Sequence, residues 1–176
     1  MKQFWQEVLL LPYKPNSQDN PLHEKQVMEL LDKFGYNYVY QPNGSQNSPD
    51  FRVSLPNGRV VDIECKSSSQ PHPTYNGGLP KKGVCYIFSS KKYNSTTIFF
   101  ADDIITERKR ELYSQLVEDL NSVLKTYQID EEWQNDERGF DFYVRNMYTQ
   151  TGKGKKDYFK HKDRSRCELN VLNHNW

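Results

Sequence analysis

"SPDFRVSLPNGRVVDIECKSSS", residues 48–69, places two runs of alternating apolar character around Pro56-Asn57-Gly58. Asn-Gly between such runs is a strong short-range hairpin signal. The sequence therefore predicts two antiparallel strands, "FRVSL" and "RVVDIECK". Side chains alternate along a strand, so Val61, Ile63 and Cys65 share one face and Asp62, Glu64 and Lys66 the other. The apolar trio belongs toward a core, and the charged trio projects together. Asp50, behind Pro49, sits at the start of the first strand, across the hairpin, where its carboxylate can approach Glu64.

Two carboxylates held close repel, and one of them resists ionisation unless a cation lies between them. Mg²⁺ suits the place: it takes hard oxygen ligands, needs one or two carboxylates, and completes its shell with water and phosphate oxygens. A lysine beside such an ion can stabilise hydroxide or the charge growing on a phosphate. A plainer reading stands next to this one. Asp50 then simply opens a strand, and Glu64 and Lys66 form an exposed pair on an edge; the bare pattern is short and degenerate.

Upstream, "NPLHEKQVMELLDKFG" reads as a helix with Asn20 as cap and Pro21 in its first turn, stopping at Gly35. Val27, Met28, Leu31 and Phe34 form its apolar face, and Glu24 falls on the same stripe. Two readings of Glu24 remain open here: a carboxylate directed inward toward a partner, or a first-turn acid that reaches water and favours the helix dipole. "YNYVYQ", "GVCYIFSS" and "TTIFFA" supply further strands, and the unbroken apolar run "VCYIF" suits a central strand covered on both faces. Asp102 is placed to cap one long helix over 103–127, and "DFYVRNMY" reads as a late strand. The pattern predicts an α/β fold, a mixed central sheet of about five strands flanked by helices, in one domain spanning 1–176.

Pro49-Asp50, Glu64-Cys65-Lys66 and the helix acid Glu24 together resemble the PD-(D/E)xK nuclease superfamily, most of all its type II restriction endonucleases. The resemblance covers roughly residues 20–101. It implies a restriction-endonuclease-like core in which Asp50 and Glu64 bind Mg²⁺, the Cys65 backbone carbonyl is a further ligand, and Lys66 and Glu24 are catalytic. It also implies double-stranded DNA as substrate, a homodimer to cut both strands, and a companion DNA methyltransferase that protects the host.

For DNA binding, the loop after the lysine offers Ser67, Ser68, Asn76, Lys81 and Lys82. The last 26 residues, 151–176, carry seven basic and three acidic side chains, although the net charge of the whole chain is only +1. Lys153, Lys155, Lys156, Lys160, Lys162, Arg164 and Arg166 make this the candidate DNA-contacting segment. An ordinary surface loop and a solvated tail are the competing readings.

The rest of the sequence narrows the choice by exclusion. The three cysteines have neither disulfide nor zinc spacing; Cys65 and Cys85, each inside an apolar run, read as small buried hydrophobes, and a reducing, cytoplasmic setting is expected. "VLLLP" is too short for a leader or a membrane span. The four histidines lack metal-pair or nucleophile spacing, and no phosphate-cradling glycine motif is present. The reading that follows is a Mg²⁺-dependent type II restriction endonuclease. A structure-specific or repair nuclease and a non-catalytic DNA-binding protein remain as alternatives.

Overall fold

The structure is a computed structural model that describes residues 1–17, 20–150, 157–160 and 163–176. In chain order its elements are α1 (Lys2–Val8), β1 (Asn16–Ser17), β2 (Asn20–Pro21), α2 (Leu22–Lys33), β3 (Asn37–Tyr40), β4 (Phe51–Ser54), β5 (Val60–Ser68), β6 (Thr74–Asn76), β7 (Cys85–Ser90), β8 (Ser95–Phe100), α3 (Ala101–Ile104), α4 (Glu107–Tyr127), α5 (Glu131–Gln134), β9 (Met147–Thr149), a 3₁₀ turn (Tyr158–Lys160) and α6 (Arg164–Leu172).

The fold is mixed α/β, with a five-stranded sheet in the order β3-β4-β5-β7-β8. Neighbours are antiparallel except β5 and β7, which run parallel. The Asn-Gly turn behaves as the sequence predicts: Gly58 has φ +81°, and Phe51 pairs with Ile63 and Val53 with Val61. Parallel strands need a crossover, most often a helix. Here residues 69–84 make it without one, and contain only the short strand β6, which pairs with β9 in a separate ribbon.

All six residues of β7 are buried, as its continuous apolar run predicts for a strand covered on both faces. One core cluster joins Ile63, Cys65, Ile87 and Ile98 to Phe4, Trp5, Val27 and Leu31 of α1 and α2. A second, built on Tyr86, Phe88 and Phe99, is closed by Tyr75 and Tyr158. Helix α6 packs on β8 and contributes Cys167 to the second cluster and Val171 to the first. All three cysteines are buried free thiols. Among the described residues no helix is long and apolar enough to cross a membrane.

Helix α2 ends as the Gly35 signal requires. Gly35 adopts φ +67°, its N–H bonds Asp32 O, and Tyr36 N–H bonds Leu31 O, the paired closure of a Schellman motif. Three expectations change. Helix α2 begins at Leu22, because Asn20 and Pro21 are used in the β1–β2 pairing. The long helix over 103–127 is broken at Ile105. Thr106, not Asp102, caps α4 by accepting from Lys109 N–H, while Asp102 accepts from Gly83 N–H and Arg110. The late strand is confined to Met147–Thr149, since Asp141 turns to Trp133 Nε1–H and the Phe142 N–H instead of joining a sheet.

Trp5 is fully buried, with its ring 5.4 Å from that of Trp176. Trp5→Ala should cost about 3–5 kcal/mol, whereas Leu10→Ser, at a side chain 81% exposed, should stay within about 0.5 kcal/mol of wild type. Urea unfolding at constant m-value measures both; a loss under about 1 kcal/mol for Trp5→Ala would contradict the packing.

Candidate active site

The β4–β5 register sets the site. Continuing it one residue beyond Phe51–Ile63 puts Asp50 opposite Glu64. Asp50 Oδ2 accepts the Cys65 N–H at 2.6 Å, which ties the acid before β4 to the strand that carries the lysine. Two residues further on, Lys66 Nζ donates to Glu64 Oε1 at 2.6 Å. Glu64 is buried, and its other oxygen, Oε2, has no hydrogen-bond partner. The third charge on that face, Asp62, leaves the group by pairing bidentately with Arg52 at 2.8 and 2.9 Å.

Glu24 is buried, so the solvent-reaching reading of it does not hold. It arrives from α2, which packs on the opposite face from Glu64, and is held by two donors. Asn16 Nδ2 donates to Oε1 at 2.5 Å and Tyr40 Oη to Oε2 at 2.5 Å. Gln41 Nε2 in turn donates to Tyr40 Oη at 3.0 Å. The sequence did not flag Asn16, Tyr40 or Gln41. Tyr40 alternates correctly to face α2, a signal that was present; Asn16 meets Glu24 through the β1–β2 turn, which no local pattern announces.

These neighbours set the electrostatics. Burial, then the Glu64 charge, push the Asp50 carboxyl up to about 7; Glu24 adds to the rise, while the Cys65 N–H and Lys66 oppose it. Burial opposes the charged form of Lys66, but the Glu64 charge and hydrogen bond outweigh it, and the net shift is upward. Lys66 is thus an ammonium at neutral pH, a fixed positive charge and not a free base. The Cys65 thiol is raised well above its ordinary value by burial and by Asp50, so it offers no thiolate. Tyr75 and Tyr86 border Glu64 from the second core cluster, and burial raises both phenols.

Among the described residues no group of three or more His, Cys, Asp or Glu side chains is gathered tightly enough to hold a metal ion. Asp50, and Glu64 through its buried unpartnered oxygen, are the two carboxylates there that could hold an ion that takes few protein ligands and keeps its waters.

The expected DNA contacts are scattered. Lys81 reaches the site's rim, where its Nζ donates to Ser48 O at 3.1 Å, two residues before Asp50. Ser67 and Ser68 continue β5 past Lys66, and Ser68 Oγ accepts from Gln70 N–H. Asn76 is exposed on β6. Lys82 is exposed, 3.6 Å from Glu107, and Lys160 is exposed on the 3₁₀ turn. Arg164 and Arg166 lie on α6, on the β8 side of the sheet; Arg164 pairs with Glu168 at 3.5 Å and Arg166 with Asp163 at 3.9 Å. Lys153, Lys155, Lys156 and Lys162 lie outside the described residues.

A carboxyl whose folded-state pKa is raised binds more protons folded than unfolded, so its contribution is full below the unfolded value and is lost as pH rises through the folded one. In EDTA, Asp50 should therefore weaken the wild type between about pH 4 and about pH 7, relative to Asp50→Asn, by roughly 2–4 kcal/mol. The Asn side chain keeps an acceptor for Cys65 N–H. Urea unfolding of both proteins across that range checks it, and parallel pH profiles would contradict the site's electrostatics. No family model, curated protein or solved structure matches the chain.

Proposed function

We propose that the protein is a Mg²⁺-dependent DNA endonuclease of the restriction type, built on a restriction-endonuclease-like core. The observation that carries this reading is the linkage of Asp50, Glu64 and Lys66 at one end of the hairpin, with Glu24 close enough to act on Asp50. An exposed edge pair would not need burial of Glu64, a raised Asp50 and a lysine held at 2.6 Å.

Asp50, Glu64 through its free Oε2, and the Cys65 carbonyl are the groups that would hold Mg²⁺. When bound, the ion supplies Lewis-acid activation of water and neutralisation of a phosphate. The chain's own residues do the rest. Lys66, kept cationic by Glu64, offsets negative charge developing on the phosphorus oxygens. Asn16 and Tyr40 hold Glu24 out of solvent, near enough for its charge to act on Asp50. Lys81 at the rim is placed to meet a backbone phosphate. Water attacks phosphorus, the bond to the 3′ oxygen breaks, and the products carry 5′-phosphate and 3′-hydroxyl ends. A single chain has one such site, so cutting duplex DNA at a two-fold symmetric sequence calls for two copies. A methyltransferase acting on the same sequence would be the functional companion.

Incubation of a sequenced plasmid with protein and Mg²⁺ tests the proposal. Wild type should produce discrete mapped ends, and Lys66→Ala should lower the rate by about 10²–10³-fold while retaining DNA binding in EDTA. Glu24→Gln should also slow cleavage. No cleavage of varied DNAs by wild type, or full activity in Lys66→Ala, would overturn it; cuts that follow DNA shape and not sequence would point to the structure-specific alternative.

A further inference from the structure

Helix α4 is 21 residues long and none of them is buried. Isolated helices gain little stability from propensity alone and normally bury an apolar face. Its side-chain ties to the body, among the described residues, come from its first two turns. Arg110 donates to Pro80 O and lies 3.1 Å from Asp102, Lys82 lies 3.6 Å from Glu107, and the Tyr113 ring stands 5.3 Å from that of Tyr148. Tyr113, Val117 and Leu124 are half-buried along the side toward the body. Next to them runs a second stripe, Leu112, Leu116, Leu120, Val123 and Tyr127, exposed by 46% to 65%. Its spacing of four, four, three and four residues is that of one helix face.

The charges say what belongs on this stripe. Helix α4 carries four acidic and four basic residues, so it has no net charge to attract nucleic acid. Arg108, Lys109 and Arg110 lie at its start, beside Glu107 and Glu111, and beyond its end follow Asp130, Glu131 and Glu132. A second copy of the helix, laid antiparallel about the middle of the stripe, brings Leu112 opposite Tyr127 and Leu116 opposite Val123. The same pairing brings the start of one helix, with Arg108 and Lys109, to the end of the other, just beyond which lie Asp130 and Glu131. A parallel arrangement would put like charge against like at both ends. A surface complementary to itself under a two-fold rotation is the signature of an isologous contact.

We propose that the Leu112–Tyr127 stripe of α4 is a self-docking surface, on which two copies of this chain pair antiparallel. The proposal stands on the helix alone and does not depend on the nuclease reading; if both hold, it supplies the second site that a double-strand cut requires.

Sedimentation velocity from about 1 to about 100 µM should show wild type passing to a dimer, and Leu116→Glu/Leu120→Glu should weaken association at least tenfold with unchanged far-UV circular dichroism. Arg108→Glu/Lys109→Glu should weaken it too, and Asp130→Lys/Glu131→Lys in the same chain should restore it. The near-native Leu120→Cys, next to the two-fold axis, should form a covalent dimer under diamide, since the native cysteines are buried. Leu112→Cys alone should not, but should crosslink when mixed with Tyr127→Cys. A wild type monomeric throughout, a dimer indifferent to the Leu116 and Leu120 changes, or equal self-crosslinking at Leu112→Cys and Leu120→Cys would overturn the proposal, whatever the plasmid assay gives.

Discussion

One hydrogen bond organises the charged end of the hairpin: Cys65 N–H to Asp50 Oδ2. It exists because the β4–β5 register places Asp50 just past the last pair, opposite Glu64. Because strand side chains have period two, a slip of one residue would turn Asp62, Glu64 and Lys66 to the α1–α2 face and carry Val61, Ile63 and Cys65 away from the core. Register is strongly specified only where one face must be buried, and Ile63 and Cys65 provide that demand. The packing of apolar residues on one side of β5 thus determines the electrostatics on the other.

The site brings together groups from both sides of the sheet. Glu24 descends from α2, while Glu64 and Lys66 rise from the face shared with Tyr86 and Phe88, and Asp50 lies at the strand end between them. Burial makes the repulsion among carboxylates count, since charges interact more strongly away from water. The protein partly relieves it from within, through the Cys65 N–H and the Lys66 ammonium, but leaves Asp50 raised and Glu64 Oε2 without a partner. A buried polar group lacking a partner is costly, and Glu64 Oε2 carries that cost beside a carboxyl that burial and charge have already raised.

Much of this was legible in the residues. Alternation in "VVDIECK" placed Glu64 with Lys66, the Asn-Gly turn gave the hairpin, and Gly35 ended α2 where it does. Asp62 could not be separated from its neighbours by period alone, because its removal depends on Arg52 across the strand pair. Nor could the break at Ile105: helical period continues through it, and the helix stops because Thr106 caps a new one while Asp102 is drawn to Gly83. Asn16 meets Glu24 across a turn, and contacts of that kind have no local signature. The basic residues of the tail were legible as charge, but charge does not reveal that Arg164 and Arg166 spend theirs on Glu168 and Asp163.

The helix-free crossover of residues 69–84 has an evolutionary side. It links β5 to β7 over the face that holds Glu64, and the body holds it at many points: β6 pairs with β9, Tyr75 is buried in the second cluster, Pro80 O accepts from Arg110, Gly83 N–H donates to Asp102, Ser90 Oγ to Gln70 O and Lys81 N–H to Tyr86 Oη. Closure entropy grows only with the logarithm of length, so doubling such a segment costs about 0.6 kcal/mol, less than the roughly 0.8 kcal/mol of one buried methylene. Cheap changes of length are therefore confined to the exposed turns between those anchors, and the rest of the wall above the charged end of the hairpin can diverge only together with the β9, α3 and α4 residues that hold it.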